Sequence, residues 1–126
     1  MFEAVFAARA AAWDAIRPGL KAAAVDNAAR EVFRDFSCDK EFKHSVGHGV
    51  GLGAISAQSV PRLHPKSDDI LRPGMVFNLE PALYFEGYGG LRHCDMVALT
   101  SNGKELLTPF QVTLEDLCAA HAAKTS

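Results

Sequence analysis

Apolar positions in the first third of the chain recur mostly at three- and four-residue steps, the period of helices that pack on a core. This pattern predicts a helix over Phe2–Ile16, which Pro18-Gly19 ends, and a second helix over Ala22–Phe36. Four charged residues of the second helix are predicted to face water: Asp26, Arg30, Glu31 and Arg34. We therefore expect two helices that cover one side of a sheet.

The period changes to two from residue 37, as it does in strands, where successive side chains point to opposite faces. Met75–Glu80 is the clearest strand. A hairpin is predicted from Arg92–Thr100 to Lys104–Leu107, because Asn102-Gly103 favours a tight turn. A last short helix is predicted over Thr113–His121.

The same alternation assigns side chains to faces. One extended segment is predicted to carry four side chains on a single face: Phe42, His44, Val46 and His48. Further on, Arg92 and Cys94 share one face, while His93 and Asp95 share the other. His93 is expected at the surface, pointing away from the face of Cys94.

Composition then limits the classes of function. With 126 residues, 48% of them hydrophobic and 22% charged, the chain suits one compact domain or part of a larger one. A net charge of −2 provides no basic field for nucleic acid and no polybasic patch for a membrane surface.

Cysteine usage and the chain's N-terminal region bear on location. The three cysteines Cys38, Cys94 and Cys118 are an odd number without paired spacing, which argues against a disulfide framework and for a reducing compartment. Charged residues interrupt the alanine-rich region 1–16, unlike a signal peptide, and no apolar run approaches the roughly 18 residues of a membrane span. We expect a soluble, cytoplasmic protein.

Three short segments each present one candidate metal ligand: His48 between glycines, Glu80 at the end of an apolar strand, and Cys94. Metal-assisted hydrolysis needs ligands that converge from separate strands in this way. Each has a structural alternative. His48 could be a hydrogen-bonded structural histidine, Glu80 could pair with an arginine, and Cys94 could be a small buried thiol.

Three motifs resemble the pita-bread metallopeptidase family, which includes methionine aminopeptidase, aminopeptidase P, prolidase and the metal-free creatinase. They are Gly47-His48-Gly49-Val50-Gly51-Leu52, the segment Leu71-Arg72-Pro73-Gly74-Met75-Val76-Phe77-Asn78-Leu79-Glu80-Pro81, and Gly89-Gly90-Leu91-Arg92-His93-Cys94-Asp95. Their order and spacing are compatible with the family, and the chain looks most like the aminopeptidase P and prolidase branch.

The resemblance implies an α+β fold, half of a pita-bread fold with a curved antiparallel sheet, helices on its convex face and a two-metal site on the other. His48 matches the family's histidine ligand and Glu80 its first glutamate ligand. His44 matches a substrate-binding histidine, and Arg92 an arginine that buttresses the site. The parent protein is then expected to use manganese, cobalt or zinc, and a metal-bound water would attack a peptide bond next to proline.

Three departures qualify this expectation. The chain has no match for the family's two aspartate ligands, Cys94 stands where the second glutamate ligand belongs, and Ile55 replaces a histidine. A thiolate suits zinc but matches poorly two hard metals. We therefore expect residues 1–126 to be a single C-terminal portion of a catalytic domain, inactive alone and binding metal weakly or not at all.

The expected partners are a peptide or small amide substrate and, through an exposed sheet edge, further copies of the chain in a homo-oligomer. Two alternatives to the metallopeptidase remain. The parent could be a metal-free, creatinase-like amide hydrolase in which histidines do the acid–base work. It could also be a non-catalytic pita-bread module that binds other proteins.

Overall fold

The computed structural model describes residues 1–53, 59–109 and 113–115. Within these ranges two α-helices precede seven short strands. The helices are α1 (Phe2–Ala15) and α2 (Ala22–Asp35), and a 3₁₀ turn follows at Asp39–Glu41. The strands are β1 (Gly47–Gly49), β2 (Arg62–Leu63), β3 (Val76–Leu79), β4 (Ala82–Phe85), β5 (Gly89–Arg92), β6 (Asp95–Thr100) and β7 (Gly103–Leu106).

Antiparallel pairing places the motif strands side by side. Five strands form one sheet in the order β2-β1-β3-β6-β7, and β4 pairs with β5 in a separate two-stranded ribbon. In this register His48 on β1 lies opposite Asn78 on β3, and Leu79 lies opposite Asp95 on β6. The segments 47–49, 76–80 and 92–95 are therefore neighbours, as the convergence of their polar residues requires.

The helices and the sheet share one hydrophobic core. Small alanines on α1 and α2 are fully buried and let the two helices pack closely, while larger side chains reach from the helices to the strands. The largest fully buried apolar side chains are Phe33, Phe77, Leu63, Leu71, Leu79, Leu83 and Leu99.

Both predicted helices and the Asn-Gly hairpin are confirmed, with small shifts at their ends. The hairpin's first strand starts at Asp95 instead of Arg92, because the chain changes partner there. Arg92 still pairs with β4, whereas Asp95 pairs with β3. The predicted helix Thr113–His121 lies largely outside the described residues, as does Ile55.

Two surface predictions were wrong. Asp26, assigned to the wet face of α2, is fully buried because Arg30 and the N–H of Val46 satisfy its carboxylate. His93 does point away from Cys94, but it is only 8% exposed because Phe6 of α1 packs against it and Asp95 accepts its hydrogen bond. Among the described helices, no apolar stretch is long enough to cross a bilayer.

Candidate functional site

His48 and Glu80 meet at the end of the β1–β3 pair. His48 Nε2 lies 3.1 Å from Glu80 Oε1, and both side chains are mostly buried. His48 Nδ1 lies 3.0 Å from the carbonyl oxygen of Gly49. Both partners of the ring are acceptors. A neutral imidazole, with one N–H, donates to only one of them, whereas the imidazolium donates to both.

Arg92 faces the other oxygen of the same carboxylate. Its Nη1 lies 3.6 Å from Glu80 Oε2, so one oxygen of Glu80 faces an imidazole and the other a guanidinium. The backbone of Glu80 is also held, because its N–H donates to the carbonyl of Val46 at 2.7 Å. The arginine pair expected as the structural alternative for Glu80 therefore coexists with the histidine contact.

The glycines on either side of His48 are required by close backbone approach. A Cβ on Gly47 would overlap the carbonyl oxygen of Asn78, and one on Gly49 would overlap that of Val60. Only glycine lets β1 pack this tightly between its two neighbouring strands. The local sequence Gly-His-Gly thus fixes where the imidazole emerges from the sheet.

His44 lies beside a tyrosine that the sequence analysis did not single out. Its Nε2 is 3.0 Å from the hydroxyl of Tyr84 on β4, and its Nδ1 is 2.7 Å from the carbonyl of Ser45. Because that carbonyl can only accept, Nδ1 carries the proton and Nε2 accepts from the Tyr84 hydroxyl in the neutral ring. Tyr84 comes two residues after Ala82, so strand alternation puts both side chains on the same side of β4. That alternation was the sequence signal for Tyr84.

Cys94 is exposed and lies in the two-residue connection between β5 and β6. Desolvation of the thiol, followed by the negative charge of Glu80, raises the pKa of Cys94. A thiol with a raised pKa stays protonated at neutral pH, and the protonated form is a poor metal ligand and nucleophile. Its role as a ligand stays a prediction.

The donor set limits what the described residues can hold. They contain no group of three or more His, Cys, Asp or Glu side chains arranged to bind a metal ion. His48 and Glu80 supply two donors that already contact each other, whereas protein zinc sites use three or four. The described residues do not fit a complete metal site by themselves.

A buried polar network lies behind the site and was missed by the sequence analysis. Asp95 is 1% exposed, accepts from Arg9 Nε of α1 at 2.5 Å and lies 3.0 Å from His93 Nε2. This network ties the first helix to the strand that follows Cys94. Strict alternation, which turns Asp95 toward the helices, was the available signal.

The fold and this cluster define an α+β protein built as half of a pita-bread domain. The sequence model of metallopeptidase family M24 matches residues 1–101, and the chain belongs to that family.

Individual proteins that the chain resembles are dipeptidases and prolidases. The chain is 37% identical over 108 residues to the Xaa-Pro dipeptidase of Pyrococcus furiosus, covering 86% of this chain and 30% of that protein. It is 42% identical over 96 residues to the probable dipeptidase PepE of Mycobacterium tuberculosis, covering 76% and 25%. The solved prolidase from Pyrococcus furiosus superposes with a TM-score of 0.81 at 36% identity, covering 88% of this chain and 32% of that one. The chain thus spans about a third or less of the length of these relatives.

Proposed function

We propose that the chain is the C-terminal portion of an Xaa-Pro peptidase, which hydrolyses peptide bonds next to proline. The observation that carries this proposal is the contact of 3.1 Å between His48 and Glu80, two residues on the motifs that gave the resemblance. Further support comes from relatives named Xaa-Pro dipeptidase and dipeptidase at 37% and 42% identity.

In this proposal the chain's own residues have distinct roles. His48 and Glu80 contribute to a divalent metal centre of the whole protein, to which segments outside this chain add further donors. Arg92 orients Glu80 through the free carboxylate oxygen, 3.6 Å away. His44, held by Tyr84, contacts the substrate. Hydrogen-bond partners such as Arg92 and Tyr84 fix the orientation of a metal ligand or of a substrate-binding side chain.

We further propose that Cys94 occupies the position of the second glutamate ligand. A thiolate at that position would favour zinc over harder metals, because soft sulfur ligands suit zinc better than they suit manganese. The chain alone, in which His48 and Glu80 already contact each other, is then expected to bind divalent metal weakly and to show no peptidase activity.

The proposal extends to the setting of the protein. We infer a cytoplasmic location because the sequence has three cysteines, an odd number without paired spacing. We also infer self-association of the chain through the outer edges of β2 and β7, which end the five-stranded sheet. Sedimentation of residues 1–126 should show dimers or larger species, and a strictly monomeric profile would contradict this.

The test is a substrate panel on the whole protein that contains this chain, with residues 1–126 alone beside it. Ala-Pro and Gly-Pro dipeptides, Ala-Ala and simple amides are incubated with and without added Mn²⁺, Co²⁺ or Zn²⁺, and bound metal is quantified. We expect metal-dependent cleavage of the Xaa-Pro dipeptides by the whole protein and none by the chain alone.

The other outcomes identify the rival functions. Turnover of simple amides by protein that contains no metal would replace the proposal with a creatinase-like, metal-free hydrolase. The absence of any turnover by metal-loaded whole protein would favour a non-catalytic binding module. Cleavage of Ala-Ala in preference to Ala-Pro would retain a peptidase and reject the proline specificity.

A further inference from the structure

A charged pair on α2 packs against the histidine segment. Asp26 is fully buried, and its Oδ2 accepts from Arg30 Nε at 2.5 Å, one helical turn away. Desolvation by burial is the largest influence on this carboxyl and raises the pKa of Asp26, while its bonds to Arg30 and Val46 act in the opposite direction. Burying a carboxylate costs desolvation free energy, so the groups that donate hydrogen bonds to Asp26 identify the contacts that stabilise it there.

Both members of the pair hold the backbone that carries the site. The second oxygen of Asp26 accepts from the N–H of Val46 at 2.7 Å. Arg30 Nη2 donates to the carbonyl of His44 at 2.8 Å, and its guanidinium lies 4.5 Å from the ring centre of Phe42. The planar guanidinium thus contacts Asp26, His44 and Phe42 at once, which a lysine ammonium cannot do.

Val46 passes this constraint on to Glu80. Its N–H donates to Asp26 at 2.7 Å and, at the longer distance of 3.1 Å, to the carbonyl of Leu63. Its carbonyl accepts from the N–H of Glu80 at 2.7 Å. His48 follows two residues later on β1. The fixed carbonyl of His44 also determines where its ring meets the Tyr84 hydroxyl, at 3.0 Å. Buried Asp26 and partly exposed Arg30 therefore reach both His44 and the backbone of Glu80.

We propose that Asp26 and Arg30 are positioning residues, which set the geometry of His44 and Glu80 through the backbone of residues 44–46. Their relevance to catalysis rests on the proposed function, but the geometry itself does not. If the pair served stability alone, an apolar pair of similar volume would serve equally well or better. The pair instead makes directed hydrogen bonds to the carbonyl of His44 and to the N–H of Val46.

The test compares three variants of isotope-labelled chain by NMR. Arg30→Lys keeps the charge but loses the three-way contact. Asp26→Asn keeps the shape but has a single acceptor oxygen, so it cannot accept from both Arg30 and Val46 through separate oxygens. Arg34→Lys is the matched control, because Arg34 is exposed on the same helix and pairs with Glu31 at 3.8 Å. The measurements are the ring contact between His44 and Tyr84 by nuclear Overhauser effect, and amide exchange at Glu80 and Leu99.

We expect Arg30→Lys to shift the His44 ring signals and to weaken the His44–Tyr84 contact severalfold. Asp26→Asn should lower the amide protection of Glu80 by about tenfold, because charged acceptors make the stronger bonds. Leu99, whose N–H donates to Met75 across the β3–β6 pair, should keep its protection, and Arg34→Lys should match wild type in every signal.

Three results would overturn the proposal. The first is wild-type His44 and Glu80 signals in folded Arg30→Lys and Asp26→Asn. The second is an equal loss of protection at Leu99, which indicates global destabilisation. The third is failure of both variants to fold, which would make the pair a determinant of folding. None of these measurements depends on hydrolysis. The proposed function can therefore fail while this inference stands, and this inference can fail while the proposed function stands.

Discussion

The imidazole of His48 and the carboxylate of Glu80 lie 3.1 Å apart, although they belong to separate strands. The β1–β3 register brings them together, with Gly47 opposite Leu79, the residue before Glu80. Arg92 on β5 then faces the remaining carboxylate oxygen. The pair is therefore a product of strand pairing, and any change that shifts the register separates it.

A double-mutant cycle measures this contact in the chain itself. His48→Ala, Glu80→Gln and the double variant should give a coupling free energy of about 1 kcal/mol in urea unfolding at pH 6, because the two side chains are mostly buried and in direct contact. The cycle of His64→Ala with Glu80→Gln is the control, since His64 is an exposed residue outside this cluster. Additive effects of His48→Ala and Glu80→Gln would show that the contact does not form in solution.

Gly49 and Gly51 form a matched pair for testing the close approach of β1. Gly49→Ala would force a methyl group into the carbonyl of Val60, and this clash requires a backbone shift. We therefore expect the free energy of unfolding to fall by about 3 kcal/mol or more. Apart from its chain neighbours, no atom of the described residues lies within 4 Å of a Cβ added at Gly51, and Gly51→Ala should be neutral or slightly stabilising. Thermal unfolding of both variants checks this. Similar melting temperatures for the two would refute the close packing of β1.

Asp69 should contribute stability that acid removes. The N–H of Arg62 donates to its Oδ2 at 2.8 Å, and this bond is the main reason that the pKa of Asp69 is lowered. A lowered pKa in the folded state means that the contribution is complete above the ordinary value of 3.8 and is lost as pH falls through the lowered value. Asp69→Asn should therefore cost about 1 kcal/mol at pH 7 and progressively less below pH ~4.

Urea unfolding of Asp69→Asn between pH 3 and pH 7 measures this difference, with the neighbouring Asp68→Asn as control. Asp68 is exposed and pairs only with exposed Lys21, so its replacement should change stability little at any pH. A penalty for Asp69→Asn that stays constant down to pH 3 would contradict the assignment.

Cys94→Glu tests whether position 94 belongs to the metal centre. A carboxylate there would replace a thiol whose pKa is raised by desolvation and by Glu80, and carboxylates suit hard cations. In the whole protein we expect Mn²⁺ affinity to rise by about tenfold or more in titration calorimetry. Cys38→Ser, at a half-buried cysteine on another part of the fold, should leave it unchanged. Unaltered affinity in Cys94→Glu would remove Cys94 from the ligand set.

The helices, the hairpin and the motif strands were predictable because each has a local signal: helical spacing, strand alternation, or an Asn-Gly turn. The convergence of His48 and Glu80 was predictable only through family resemblance, because periodicity does not reveal which strands pair. The resemblance also supplied the expected roles of His44 and Arg92, which stay predictions beside their observed contacts with Tyr84 and Glu80.

What could not be predicted are the buried charges. Helical periodicity assigns a charged residue to the wet face, yet Asp26 is buried because Arg30 and the N–H of Val46, far along the chain, donate hydrogen bonds to its carboxylate. His93 was expected at the surface, although Phe6 packs against it and Asp95 accepts its hydrogen bond. Asp26 depends on Val46 and His93 on Phe6, and contacts between such distant segments leave no local pattern in the sequence.

The most direct test of the central claim is the kcat/KM of the whole, metal-supplied protein on an Xaa-Pro dipeptide, compared among wild type, His48→Ala and His64→Ala. We predict that His48→Ala lowers it by about 100-fold or more, because an imidazole of the site is lost, while His64→Ala stays at the wild-type value. Equal activity of His48→Ala and wild type would contradict the assignment of this cluster as the hydrolytic site.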